Sequence, residues 1–269
     1  MRVLLADDQE EIRLLTTHQL ERSGHRIVTV ANGQKALEAL QNETFDVILL
    51  DEQMPVMTGL EALKAIRKQE KKYGRPVVIA LTGYNTDPDR ARLLNAGFDG
   101  VIGKPFGMKA LEEFLHGAAV PVVLSRQAQP QAVPQSGAAA DLLQRVGGDE
   151  KLLRRISQTF LRDAPKRMVE IRKAIRSKNG EKLAFFAHAL KGPLSIFGAE
   201  QARQHCQGLL ECGQSRQYAE APRIYEALKE EIAELESNLR GYASQKASPR
   251  SGATPKGKRR VIKSKRKSG

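Results

Sequence analysis

The first 117 residues alternate five short apolar runs with stretches of helical spacing, and that alternation restricts the fold more than any other feature of the chain. The runs are VLLA from Val3, RIVTV from Arg26, FDVILL from Phe45, PVVIALT from Pro76 and GVIGK from Gly100. Between them, residues 10–22, 59–70 and 107–116 read as helices, the last with Met108, Leu111, Phe114 and Leu115 on one face. Strands that take turns with helices predict an α/β unit, a doubly wound five-stranded parallel sheet covered on both sides.

The chain changes character after residue 117. Residues 118–139 are rich in Ala, Gln and Pro without a sustained period and read as a flexible linker. Residues 140–241 are helical in pattern throughout. Asp149 is placed to cap a helix in which Leu152, Ile156 and Phe160 recur at i+4, and Pro165 is expected to kink or restart it. A second helix should end at Gly198. A later one carries Ile224, Leu228, Ile232, Leu235 and Leu239 on one side. Short connections between such helices predict an antiparallel bundle, so 269 residues make two modest domains.

Charge is unevenly spread. Ten of the 44 Lys and Arg residues and none of the 31 acids fall between Tyr242 and Gly269, leaving 34 bases against 31 acids in the first 241 residues. Residues 242–269 therefore supply +10 of the net +13; they lack a core-forming pattern and read as a disordered basic tail. Cys206 and Cys212 lie six positions apart in a predicted helix, about 240° around its axis, a spacing that argues against a bridge. The opening MRVLLADDQE turns acidic too early for a signal peptide, and no apolar run approaches the roughly 18 residues of a membrane span. The expectation is a soluble, cytoplasmic protein without membrane contact.

Four of the five strands end in groups capable of chemistry: Asp7 and Asp8 after the first, Asp51 after the third, Thr82 after the fourth and Lys104 after the fifth. In a parallel sheet these ends share one edge, where ligands bind. Three carboxylates that close repel one another unless a cation sits among them, and hard oxygen ligands suit Mg²⁺. One aspartate could then attack phosphorus while Lys104 absorbs charge and Thr82 donates a hydrogen bond to the phosphoryl group.

The other residue of interest is His188, in AHALKGPLSIFG. Leu183, Phe186, Ala187, Leu190, Leu194 and Phe197 form the apolar stripe of its helix. His188 lies off that stripe, sharing its side with Lys191 and Gly192, and is expected to look outward. Residues 184–195 offer no further metal ligand. An idle surface histidine and a phosphate acceptor both fit.

ADD at 6–8, DEQMPVMTG at 51–59, ALT at 80–82 and the pair Lys104, Pro105 together resemble the receiver domain of two-component response regulators, over residues 1–117. The resemblance implies a flavodoxin-like sheet, Asp51 as the phosphorylated residue, and Mg²⁺ held by Asp7, Asp8, Asp51 and the backbone carbonyl of Gln53. Thr82 and Lys104 would contact the phosphoryl group. Val101 departs from the pattern, since receivers commonly carry an aromatic switch residue three positions before the lysine.

HALKG, with Gly198 ten residues after the histidine and GGDEKLL ahead of it, resembles the histidine-containing phosphotransfer (HPt) domain. That implies a phosphoramidate on His188, with Lys191 stabilising the added charge and Gly192 allowing a receiver to come close. Phe185 would either join a docking surface or be covered by another helix. Pro193 departs from the usual small polar residue and is expected to bend the helix beyond the site.

No GxxxxGK[ST] loop, protein-kinase signature or histidine-kinase nucleotide domain is present, so the chain reads as a phosphotransfer protein rather than an enzyme with its own ATP site. The leading expectation is a phosphorelay intermediate: Asp51 takes a phosphoryl group from a sensor histidine kinase, and His188 exchanges it with a receiver. The alternatives are a phosphate sink and a receiver-gated regulator that contacts nucleic acid without sequence preference through residues 246–267.

Overall fold

The computed structural model describes residues 1–83, 86–104 and 139–244. Strands β1 (Arg2–Ala6), β2 (Arg26–Val30), β3 (Val47–Asp51), β4 (Val77–Thr82) and β5 (Gly100–Gly103) form one sheet in the order β2-β1-β3-β4-β5, every neighbouring pair parallel. Side chains alternate across it. Val3, Leu5, Val47, Leu49, Ile79 and Leu81 pack on one side with Leu20 of helix α1 (Glu10–Arg22). Leu4, Ala6, Ile48, Leu50, Val78 and Ala80 pack on the other, against Ala36 and Leu40 of α2 (Gly33–Asn42) and Leu63 and Ile66 of α3 (Gly59–Lys68). Burial on both faces is why these strands read as unbroken apolar runs. Helix α4 (Asp87–Asn95) adds Leu93 to the second side, joined there by Val101. The chain turns from β2 back across β1 to β3, so the switch point of the sheet falls where β1 and β3 end.

The second part consists of α5 (Ala139–Arg145), α6 (Glu150–Arg176), α7 (Gly180–Phe197), α8 (Glu200–Ser215) and α9 (Ala221–Ser244). Phe160, Ile171, Leu183, Leu190, Leu209, Leu228 and Leu239 are central to its core, with Phe160 edge-on to Phe197 at 5.1 Å. Asp149 caps α6 by accepting from the N–H groups of Lys151 and Leu152, and Gly198 ends α7 at φ 70°. Cys206 is buried in this core and unbridged, as is the half-buried Cys212. Burial pushes the Cys206 thiol up to about 12.

The restart expected at Pro165 is corrected: α6 continues through it to Arg176, and Ala164 and Met168, near it on the core face, are buried. Pro193 likewise lies inside a continuous α7, itself buried. Packing along a helix of this length outweighs the roughly 3 kcal/mol of one lost hydrogen bond and ring clash. Ser195 Oγ donates to the Gly192 carbonyl at 2.6 Å beside the proline.

Helix α1 serves both parts. Leu20 faces the sheet, whereas Ile12, 6% exposed, belongs to the core of the bundle. Burying one such side chain is worth roughly 1.5–3 kcal/mol. The helix expected at 107–116, Pro105, the linker short of Ala139 and the tail beyond residue 244 lie outside the described residues.

Candidate functional site: an acidic pocket beneath a histidine

β1 delivers Asp7 and Asp8, and β3 delivers Asp51, to the switch point. Ligand atoms of the three carboxylates lie within 4.8 Å of one another. Lys104, just past β5, extends Nζ to 2.6 Å from Asp7 Oδ2 and 2.9 Å from Asp51 Oδ2. Its own N–H donates to the Thr82 carbonyl at 2.7 Å, fixing the lysine to the end of β4. Thr82 is buried, and its hydroxyl donates to Glu52 Oε2 at 2.9 Å; Arg92 pairs with the other oxygen of that carboxylate. Gln53 follows at the rim, its N–H 3.5 Å from Asp51 Oδ1. The sheet thus brings the predicted strand-end groups into one pocket.

The electrostatics are those of a crowded, dry anion cluster. Burial raises the carboxyls of Asp7 and Asp51 despite the opposing Lys104 ammonium. Burial, reinforced by the charges of Asp7 and Asp51, lifts Asp8 to about 7. Burial also works against the ammonium of Lys104, but Asp51 and Asp7 outweigh it and hold that group above its ordinary value. One lysine does not neutralise three carboxylates, and Asp8 Oδ1 is buried with no hydrogen-bond partner among the described residues. The donor set therefore fits a hard divalent cation.

The bundle closes this pocket. His188 lies off the bundle's apolar stripe, as its spacing predicts, but the expectation of an outward-looking side chain holds only for the bundle. In the whole molecule His188 is 5% exposed, because the receiving face of the sheet covers it. It lines a single cavity with Gln9, Gly83, Lys104, Lys191, Gly192, Ser195 and Arg203. A methyl group at Gly83 would sit 2.6 Å from His188 Cε1, so only a residue without Cβ allows this approach. Gly192 is equally confined, since a Cβ there would run into Gln9 Oε1. Burial first, then the charges of Lys104 and Lys191, push the imidazole down to about 3, leaving it neutral with a lone pair to offer. Lys191 Nζ donates to Gln207 Oε1 at 2.5 Å, and burial lowers its ammonium. Phe185 is half-buried, edge-on to Phe186 at 5.2 Å, and does not line the cavity.

Several contributors escaped the reading of the sequence. Gln9 is buried, and its N–H donates to Asp7 Oδ1 at 2.8 Å; its place directly after the two aspartates was a usable signal. Gly83, directly after Thr82, was another. Glu52 and Arg203 gave none, because their roles depend on neighbours from other elements.

Fold and site together are those of a receiver-like α/β unit joined to a helical bundle with a buried histidine at the contact. Residues 3–116 match the response regulator receiver domain and residues 155–238 match the Hpt domain, so the chain is a fusion of these two families, the modules of two-component phosphorelay signalling. Its curated relatives include the virulence sensor protein BvgS of Bordetella bronchiseptica, 27% identical over 91% of this chain and 21% of that protein. The sensor histidine kinase GacS of Pseudomonas protegens is 28% identical over 88% of this chain and 27% of its own length. The chain thus spans only about a quarter of either relative. Among solved structures, the chemotaxis protein CheY4 of Vibrio cholerae is 36% identical, covering 43% of this chain and 95% of that one at a TM-score of 0.40. None of these matches supports a nucleic-acid role for residues 246–267. Among the described residues, no helix is long and apolar enough to cross a membrane.

Proposed function

We propose that the chain is a phosphorelay intermediate in which Asp51 accepts a phosphoryl group from a sensor histidine kinase and exchanges it with His188, which in turn serves a further receiver. One observation carries this reading: the buried imidazole of His188 shares a cavity with Lys104, whose ammonium is itself 2.9 Å from Asp51. Acceptor and donor thus adjoin one small cavity, where a positioned imidazole competes well with water for the phosphoryl group.

In the transfer, the lone pair of a ring nitrogen of His188 forms the N–P bond. The P–O bond to Asp51 breaks and its electron pair stays on the carboxylate. The ring then sheds the proton on its other nitrogen and returns to neutrality. Lys104 receives the restored carboxylate, Thr82 turns its hydroxyl toward the phosphoryl oxygens, and Lys191 offsets charge on the product side. Asp7, Asp8, Asp51 and the Gln53 carbonyl would hold Mg²⁺, which supplies charge neutralisation for the carboxylates and the phosphoryl oxygens. The chain acts as a phosphotransfer protein, and the phosphate originates in a sensor histidine kinase.

The test uses phosphoramidate as donor with Mg²⁺, and separates an alkali-labile acyl phosphate from an acid-labile phosphoramidate. His188→Ala should keep its label at Asp51, and Asp51→Asn should lose most of the label at both sites. Unchanged labelling of His188 in Asp51→Asn would remove the support for exchange between them.

A further inference from the structure

The face that α1 turns toward the bundle is charged in a definite order. At its start, Glu10 Oε2 lies 2.7 Å from Arg162 Nη2, and Glu11 Oε1 lies 3.5 Å from Arg167 Nη1. At its end the order is reversed: His18 Nδ1 is 3.7 Å from Asp149 Oδ2, and Arg22 donates to the Gly147 carbonyl at 2.9 Å. The start of α1 pairs within α6, at Arg162 and Arg167, and its end pairs at and before the N-cap of α6, at Asp149 and Gly147, so the two helices run antiparallel. Turning α1 end for end would set Arg22 against Arg162 and the glutamates against Asp149. Charge order thus selects one direction, and Ile12, seated in the bundle core between the paired ends, anchors that register. The same register lays Gln9 on Gly192 and Gly83 on His188.

One pair is decisive. The Glu11 side chain is fully buried, with Arg167 as its counter-charge, and Glu11 Oε2 has no hydrogen-bond partner among the described residues. Removing the arginine while the parts stay docked would leave a buried, unopposed carboxylate, whereas separating them returns Glu11 to water. Loss of Arg167 therefore acts on docking.

We propose that this ladder of charges makes the chain's own bundle the resident partner of its receiver, and that an outside phosphohistidine domain can load Asp51 only while that bundle is displaced. The proposal rests on the reading that Asp51 and histidines exchange phosphoryl groups. Its geometric basis is that Asp7, Asp51, Lys104 and His188 are all buried beneath the same contact, so a second imidazole has no route to Asp51 while His188 occupies the mouth. In loading, the P–N bond of the outside phosphohistidine breaks with its pair returning to the ring nitrogen. A carboxylate oxygen of Asp51 forms the new P–O bond, and the donor ring takes back a proton.

The experiment uses full chains. The donor is an Asp51→Asn chain carrying at His188 only the small residual radiolabel that prolonged exposure to phosphoramidate leaves there, freed of reagent before use. Two acceptors lacking their own phosphoacceptor histidine, both His188→Ala, are compared: one otherwise native, one also carrying Arg162→Glu and Arg167→Glu, which repel its bundle while leaving its receiver face unaltered. The second should take label at Asp51 about tenfold faster. In chains that keep Asp51 and His188, the same two arginine changes should slow internal transfer about tenfold, and adding Glu10→Arg with Glu11→Arg should restore it. Equal trans-loading of the two acceptors, or no rescue by the reversed pairs, overturns the proposal. If neither acceptor takes label from the phosphohistidine although phosphoramidate labels both at Asp51, the phosphotransfer reading itself fails.

Discussion

His188 shows how much a single side chain owes to its surroundings. Its imidazole is pushed from an ordinary 6.5 down to about 3 by burial, by Lys104, which docking brings near, and by Lys191 of its own helix. The sign follows from proton uptake. Below about pH 6.5 a displaced bundle binds a proton that the docked one does not, so this histidine leaves docking undiminished above that pH and weakens it as pH falls toward the lowered value. Ring resonances of His188 should stay flat from about pH 8 to 5 in the native chain and titrate near 6.5 in Arg162→Glu/Arg167→Glu, by NMR of labelled histidine. A native-chain midpoint near 6.5 would show that the ring is not held as described. Val56 makes a different local case: it is β-branched, 84% exposed, and held at φ 69° in the loop after β3. Val56→Gly should raise stability by roughly 0.5–1 kcal/mol in urea unfolding, the relief of left-handed strain less the entropy glycine brings.

Among the elements, what could be read from the chain was what the local pattern controls. The five strands stand at the predicted runs because two-sided burial leaves an apolar signature, and α1 occupies its predicted span, residues 10–22. Asp7, Asp8, Asp51, Thr82 and Lys104 were legible for the same reason: parallel order alone brings strand ends to one edge. The restart read at Pro165 misled, because a proline's local cost is visible in sequence while the compensating burial of Ala164 and Met168 is tertiary. Glu11 was not singled out, because an acid in the first turn of a helix carries no local mark of burial, and its partner Arg167 comes from α6. Asp149, by contrast, behaves as its position suggests. Asp149→Ala should cost about 1 kcal/mol in urea unfolding through the lost cap of α6. The N–H groups of Leu152 and Lys151 hold its carboxyl below the usual range, so this contribution is present at neutral pH and fades as pH falls through that lowered value.

At the scale of the molecule, two domains with separate cores meet along one helix, and the contact does chemical work. It buries His188, favours the neutral imidazole and sets that ring in one cavity with Lys104, the ion-pair partner of Asp51. The ion pairs at its rim contribute little individually, about 0–1 kcal/mol where exposed, so the contact is held firmly enough to define a register and weakly enough to open. The central claim is that Asp51 and His188 of one chain exchange a phosphoryl group across this face. Quench-flow decides it most directly: the receiver is loaded by phosphoramidate and Mg²⁺, and acyl phosphate and phosphohistidine are followed together over a range of protein concentrations. The account predicts that one decays as the other rises, with a first-order rate independent of concentration; a rate proportional to concentration, or decay of the acyl phosphate to free phosphate with none at His188, would contradict it.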